Sequence, residues 1–298
     1  MPLVASIVLI ITLTTCLILT LVMHRYIGGL KVPYFSDLGR DPPSYYVFGI
    51  GLSIVALSIA VTWILNYEYQ AASLQLRVRR GQMSKWLRLV WARIVLTAGV
   101  LSTIGLPTLA FCSTTSCPSV HVYATFWFFL LEILAILINT TISWRLLQAT
   151  RHYHHRLHYA NDANELASVH QTVSSLRRTV VLQTVTSAVL MITVLAFIPI
   201  GIAVLDDDRR LPIRDCLNKQ LGTKYCTSTM QYNNNETKLW KYDTHFVAHQ
   251  IRAVCEWATM IALVAYSLSF LLYRDYELET EFLATTNDNN NMNTTLLP

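Results

Sequence analysis

The chain has 298 residues, of which 53% are apolar and 14% charged, and a formal net charge of +5. A soluble domain carries about a quarter charged residues; here the charges are segregated, leaving apolar windows of about 20 residues between them. That excludes an ordinary water-soluble fold, and nothing in the pattern supports nucleic-acid binding.

Six windows follow in chain order, at 3–23, 45–66, 89–112, 121–146, 179–205 and 245–273. Each can cross about 30 Å of hydrocarbon at about 1.5 Å per residue. The runs are continuous rather than alternating, which rules out a closed barrel. The expected fold class is all-α: a polytopic membrane protein, a six-transmembrane-helix bundle over 1–274 with a disordered cytosolic tail at 275–298. The first window lacks a basic leading segment and outruns the roughly 7–15 apolar residues of a signal peptide, so it reads as a retained helix.

Between the first two runs lies the sharpest motif: Pro33, Tyr34, Ser36, Asp37, Gly39, Pro42 and Pro43, followed by Phe48 and Gly49. Pro42 and Pro43 fix φ and call for an extended approach to the second helix. Gly39 permits a tight or left-handed turn, and Ser36 and Asp37 can accept backbone N–H bonds within it. The plainer interpretation is a rigid hairpin that positions helices one and two; the sharper one is a ligand or partner site.

Segments 67–88 and 147–178 carry Arg77, Arg79, Arg80, Lys85, Arg88, Arg151, Arg156, Arg177 and Arg178, against Arg25, Lys31 and Arg40 in 24–44. This favours cytosolic termini, although 206–243 holds seven basic residues of its own among six acidic ones. Cysteines lean the same way. Cys16 and Cys255 sit in apolar runs, whereas Cys112 with Cys117 and Cys216 with Cys226 fall in two loops on one side, as candidate disulfides of an oxidising compartment. Asn235-Glu236-Thr237 in the same long loop is a candidate glycosylation acceptor. The sequon at Asn139 lies inside a helix, and the one at Asn293 falls in the cytosolic tail.

Two helices carry polar stripes. His121, Thr125, Glu132 and Asn139 return to one face of the fourth; His245, His249, Arg252 and Glu256 share a face of the sixth. Each carboxylate lies eleven residues after its first His, about 16 Å deep at 1.5 Å per residue. Charge at that depth costs about 2.5–3.5 kcal/mol and should face the bundle interior. Arg252 and Glu256 can neutralise each other one turn apart; Glu132 must be protonated, hydrated or paired across to helix six. One reading is an outward-opening cavity lined by His121, His249, Glu132, Arg252 and Glu256, for a lipid headgroup or for acid sensing. The other is packing by inter-helix polar contacts.

No hydrolase elbow, metalloprotease motif or phosphate loop is present, so no catalytic residue, cofactor or metal is expected. His152, His154, His155 and His158 read as a solvated helix end, His170 being distant in sequence. The basic run Arg77, Arg79, Arg80, Lys85 and Arg88 could attract anionic lipid headgroups, at about 1 kcal/mol per charge.

The 33–49 segment resembles the damage-regulated autophagy modulator (DRAM) family, in its Pro-Tyr-x-Ser-Asp-x-Gly-x-x-Pro-Pro pattern. His249, Ala253, Cys255, Glu256 and Trp257 are similar to that family's last helix, with its Cys-Glu-Trp block. Glu132 and the length of 206–243 depart from the pattern. The resemblance implies a non-enzymatic regulator of autophagy or lysosomal function, in a lysosomal or endosomal membrane. The wider superfamily brings two alternatives: a plasma-membrane organiser of phosphoinositide kinase complexes or lipid distribution, and a factor for remodelling GPI-anchor lipid.

Overall fold

The computed structural model describes residues 1–79, 81, 90–160, 163–203 and 209–273. Its helices are α1 (Pro2–Val22), α2 (Phe35–Leu38), α3 (Ser44–Arg79), α4 (Ala92–Ser102), α5 (Gly105–Phe111), α6 (Pro118–Ala160), α7 (Ala163–Ala203), α8 (Ile213–Asn218) and α9 (Phe246–Ser269). Two strands, β1 (Arg209–Pro212) and β2 (Glu236–Lys241), complete the regular elements together with a π-turn at Tyr225–Thr229 and a 3₁₀ turn at Phe270–Leu272. Among the described residues, six helical units are long and apolar enough to span a membrane, with α4 and α5 acting together as the third. The chain is an all-α, multi-pass integral membrane protein.

Successive spans are neighbours, and α9 closes the ring by packing on α1 as well as α7. Trp63, Phe48, Leu52, Phe128, Ile136 and Tyr266 fill the interior. Ile10, Leu57, Ile64, Leu130, Ile192 and Ile261 face outward and stay apolar, as lipid rather than water requires.

The helices outrun their apolar windows. α3 continues beyond 66 to Arg79, and the segment 147–178 is mostly the ends of α6 and α7 rather than a loop. Once outside hydrocarbon a helix needs no apolar run, only residues that tolerate helical geometry, and Gln, Leu, Arg and Glu supply those. The third span breaks after Ser102: Pro107 has no N–H for the Thr103 carbonyl, so a continuous helix would lose that bond. His245 lies outside the sixth helix, as an exposed, left-handed N-cap with φ 56°. It therefore drops out of the expected stripe.

The connections at one end form a small cap. β1 and β2 pair antiparallel, with Arg210 opposite Trp240 and an irregularity before Pro212. Cys216 and Cys226 are joined by a disulfide, and pack with Tyr26, Leu211, Tyr225, Met230 and Leu239 into a core of their own. The continuous period-2 pattern that announces a strand is too short here to have been read from sequence.

Candidate functional site

The two distinctive sequence islands meet. The 30–36 loop lies along the start of α9 and is fastened at successive turns. Lys31 N–H donates to Gln250 Oε1 at 2.9 Å, and Gln250 Nε2 donates to the Val32 carbonyl at 3.3 Å. Tyr34 Oη and His249 Nδ1 share a bond of 3.0 Å. Phe35 N–H donates to Glu256 Oε2 at 2.8 Å, and Trp257 Nε1 donates to the Pro33 carbonyl at 2.9 Å. The loop thus couples helix one to the last helix as well as to the second. Cys255, on the adjacent face, packs partly buried against the main core.

Behind the loop sits a buried charge cluster. Arg40 donates to both Asp41 oxygens, at 3.2 and 3.1 Å, and lies 3.6 Å from Asp37. Tyr225 of the cap donates to Asp41 at 2.6 Å, while Asp37 accepts from Tyr242 at 3.3 Å and Thr114 at 3.4 Å. Asp37 therefore bonds cap side chains rather than loop N–H groups. Burial pushes the Asp37 carboxyl above its usual range, with Arg40 offsetting this only in part. Burial opposes ionisation of Asp41 as well, but the charge and bonds of Arg40 and the Tyr225 hydroxyl outweigh it and hold that carboxyl low. Gly39 has φ −93°, so it serves no left-handed turn; a Cβ there would fall 2.2 Å from the Phe48 ring, and glycine permits that approach. The Pro42–Pro43 peptide is cis.

Between this loop, α6, α7 and α9 lies a cavity of about 550 Å³, with Trp240, Tyr242 and Thr114 of the cap beside it. His121, Arg252 and Glu256 line it, as do Ser36, Tyr123, Thr125, Phe126 and Phe197. Of the five residues expected in such a space, Glu132 and His249 are elsewhere. Glu132 is 4% exposed and accepts from Ser102 Oγ at 2.5 Å and Trp63 Nε1 at 3.2 Å. It is held by Trp63 of α3 and Ser102 of α4, the second and third spans, and not paired to α9, the sixth. His249 sits behind Tyr34 and Tyr242. His121 Nδ1 lies 2.8 Å from both the Leu109 and the Cys112 carbonyl, closing the turn between α5 and α6, and Thr125 donates back to the His121 carbonyl.

Arg252 does not pair with Glu256, whose carboxylate is taken up by the loop. Its guanidinium instead lies 4.7 Å from the Phe197 ring centre and 5.6 Å from that of Tyr34. A Cβ at Gly201 would stand 2.7 Å from the Arg252 Cζ, so glycine makes room for the guanidinium against α7.

At the other end, Asn139 joins three helices. It accepts from Asn66 and Gln70, both at 2.8 Å, and donates to Tyr266 Oη at 2.7 Å. Arg77, expected to meet lipid headgroups, is fully buried. It falls on the α3 face shared by Gln70, Ser73 and Leu74, which turns inward. Arg79 is exposed, whereas Arg80, Lys85, Arg88 and the tail 275–298 lie outside the described residues.

Cys112 and Cys117 are not joined: both thiols are free and within hydrogen-bond reach of each other, across a 113–117 turn closed by backbone and hydroxyl bonds centred on Ser113. The hydrogen bond between the two thiols raises the pKa of Cys112. Asn235 is exposed beside β2, while the hydroxyl of Thr237 is buried and donates to the Leu211 carbonyl. His170, distant in sequence, stacks beside His154 at 5.6 Å between ring centres. No group of three or more metal-ligating side chains occurs among the described residues.

Sequence reasoning missed Arg40, Asp41, Trp63, Ser102, Phe197 and Gly201. Adjacent opposite charges at Arg40-Asp41, within a segment bounded by prolines, were the one available signal. The others are ordinary residues in apolar runs until the helices assemble.

The model of the family described as Frag1/DRAM/Sfk1/Cwh43P N-terminal domain matches residues 1–273. No curated protein and no solved structure matches the chain.

Proposed function

The chain belongs to the Frag1/DRAM/Sfk1/Cwh43P family, and from that membership we propose that it is a non-enzymatic regulator of autophagy or lysosomal function. Its setting is a lysosomal or endosomal membrane, with the cap in the lumen and both termini in the cytosol. One observation carries the non-enzymatic half. The polar groups that could do chemistry are engaged as fasteners: Glu256 and His249 hold the 30–36 loop, Glu132 ties α6 to α3 and α4, and His121 closes a turn. A general base needs a substrate proton within reach, and these side chains are already turned to protein partners. The disulfide-closed cap and the exposed Arg79, Arg151, Arg177 and Arg178 at the opposite end support the orientation.

The test is the steady-state position of the tagged full-length protein in its own cells, combined with autophagic flux after depletion and re-expression. Lysosomal or late-endosomal residence with altered flux, restored by re-expression, is expected. Plasma-membrane residence with disturbed phosphoinositide kinase recruitment would replace this reading by the organiser role. Loss of GPI-anchored proteins from the surface would replace it by lipid remodelling.

A further inference from the structure

Arg252 brings a charge into the bundle that, among the described residues, no carboxylate meets at close range, Glu256 on the same cavity wall standing beyond ion-pair distance. The buried Nε of Arg252 has no hydrogen-bond partner among them. It lies six residues into α9, roughly 9 Å below the helix start, at a depth where an uncompensated charge is costly. Aromatic faces at Phe197 and Tyr34 orient it, but a ring quadrupole supplies only about 0.5–2 kcal/mol. A guanidinium offers five donors in a fork that suits phosphate. Here the fork stands at the wall of a cavity of about 550 Å³, within the roughly 300–1,000 Å³ of small-molecule sites.

The cavity is built for an amphiphile. Its inner wall holds Arg252, Ser36, Thr125, His121 and Glu256, the last with its carboxylate bonded by the Phe35 N–H, while its α6 and α7 side is Tyr123, Phe126 and Phe197. Tyr123 is 73% exposed on the outward face of α6, so the apolar wall runs out onto the surface that lipid would cover. The cap residues Trp240, Tyr242 and Thr114 stand over the polar part.

We propose that this cavity is a lipid site, which holds the phosphodiester of an anionic phospholipid on Arg252 and releases the acyl chains along Tyr123 and Phe126. The inference goes beyond the regulatory reading and holds in whichever membrane the protein resides.

The purified full-length protein in detergent is titrated with dioleoylphosphatidylglycerol, dioleoylglycerol and inorganic phosphate, with binding read by native mass spectrometry. One phosphatidylglycerol per chain should bind at least about tenfold more tightly than dioleoylglycerol, and millimolar phosphate should not displace it. Arg252→Gln should weaken phosphatidylglycerol about tenfold or more. Ser119→Trp, at an exposed position on the cavity rim, should weaken it similarly without changing the unfolding temperature. This second variant carries the test if Arg252→Gln does not fold. Unchanged binding in Ser119→Trp, equal binding of dioleoylglycerol, or displacement by inorganic phosphate overturns the proposal.

Discussion

Arg40 faces two carboxylates, and they are not equivalent. Asp41 takes both forks of the guanidinium and the Tyr225 hydroxyl, whereas Asp37 stands 3.6 Å off. Asp41 is held below its usual range by Arg40 and Tyr225 against the opposing effect of burial. Its contribution to stability is therefore present above about pH 4, the unfolded value, and is lost as pH falls through the lower folded value. Asp37 is raised by burial, so its contribution is present below about pH 4 and is lost as pH rises through its folded value. The two slopes oppose each other, which flattens the dependence of the cap on pH. Asp41→Asn should cost about 2–4 kcal/mol at neutral pH, since it strips a buried cation of its best partner. Asp37→Asn should cost little at neutral pH, because it resembles the form burial favours. Unfolding temperatures of the purified variants at pH 7 decide this, and a larger loss in Asp37→Asn than in Asp41→Asn would refute the assignment.

At the scale of elements, the 30–36 loop and the first turns of α9 act as one clasp. Gln250 is its outermost fastener, accepting from Lys31 and Val32 and donating to the Val32 carbonyl. Each neutral bond is worth about 1 kcal/mol, so Gln250→Ala should raise the open population severalfold. Lys31 is exposed, and cleavage there by trypsin tracks that population when opening is fast. A several-fold faster cut at Lys31 is expected in Gln250→Ala, with other sites unaffected; an unchanged rate would show that the clasp is held elsewhere. Both halves of the clasp were visible in the sequence, as two motifs about 220 residues apart, but their contact was not. A motif records residue types, and only the closure of α9 on α1 brings the two together. The spans were legible because lipid demands unbroken apolarity. Their true ends were not, since α3, α6 and α7 run on in water where that demand lapses. The 3.6-residue period puts His249, Arg252 and Glu256 on one face. It could not show that Glu256 would turn to the loop and leave Arg252 to the cavity, or that Glu132 would find Trp63 and Ser102.

The whole molecule is polarised along its axis, and the proposed orientation rests on that polarity. One end is a disulfide-closed cap with its own small core; the other carries exposed Arg79, Arg151, Arg177 and Arg178 on helices that leave the bilayer. Translocating the cap requires moving Arg209, Arg210 and Arg214 across the membrane, which the charge rule alone disfavours. The fold lessens that conflict: Arg210 stacks over Tyr232 at 4.0 Å and Trp240 at 4.4 Å, and Lys241 pairs with Asp243 at 2.9 Å. The 206–243 loop is shorter than the roughly 60 residues over which the rule counts Lys and Arg, so charge alone leaves the orientation open. Asn235 then reports the outcome. It is exposed, whereas Asn139 is fully buried within the bundle. In cells, endoglycosidase should shift the full-length protein by one glycan, and Asn235→Gln should abolish the shift. A membrane-impermeant maleimide added from outside the cytosol should label an Arg79→Cys variant no more than the unsubstituted protein, whose free Cys112 and Cys117 lie at the cap end. A band that does not shift, together with labelling of that cysteine, would mean that the bundle is inverted and that the cap and its cavity face the cytosol.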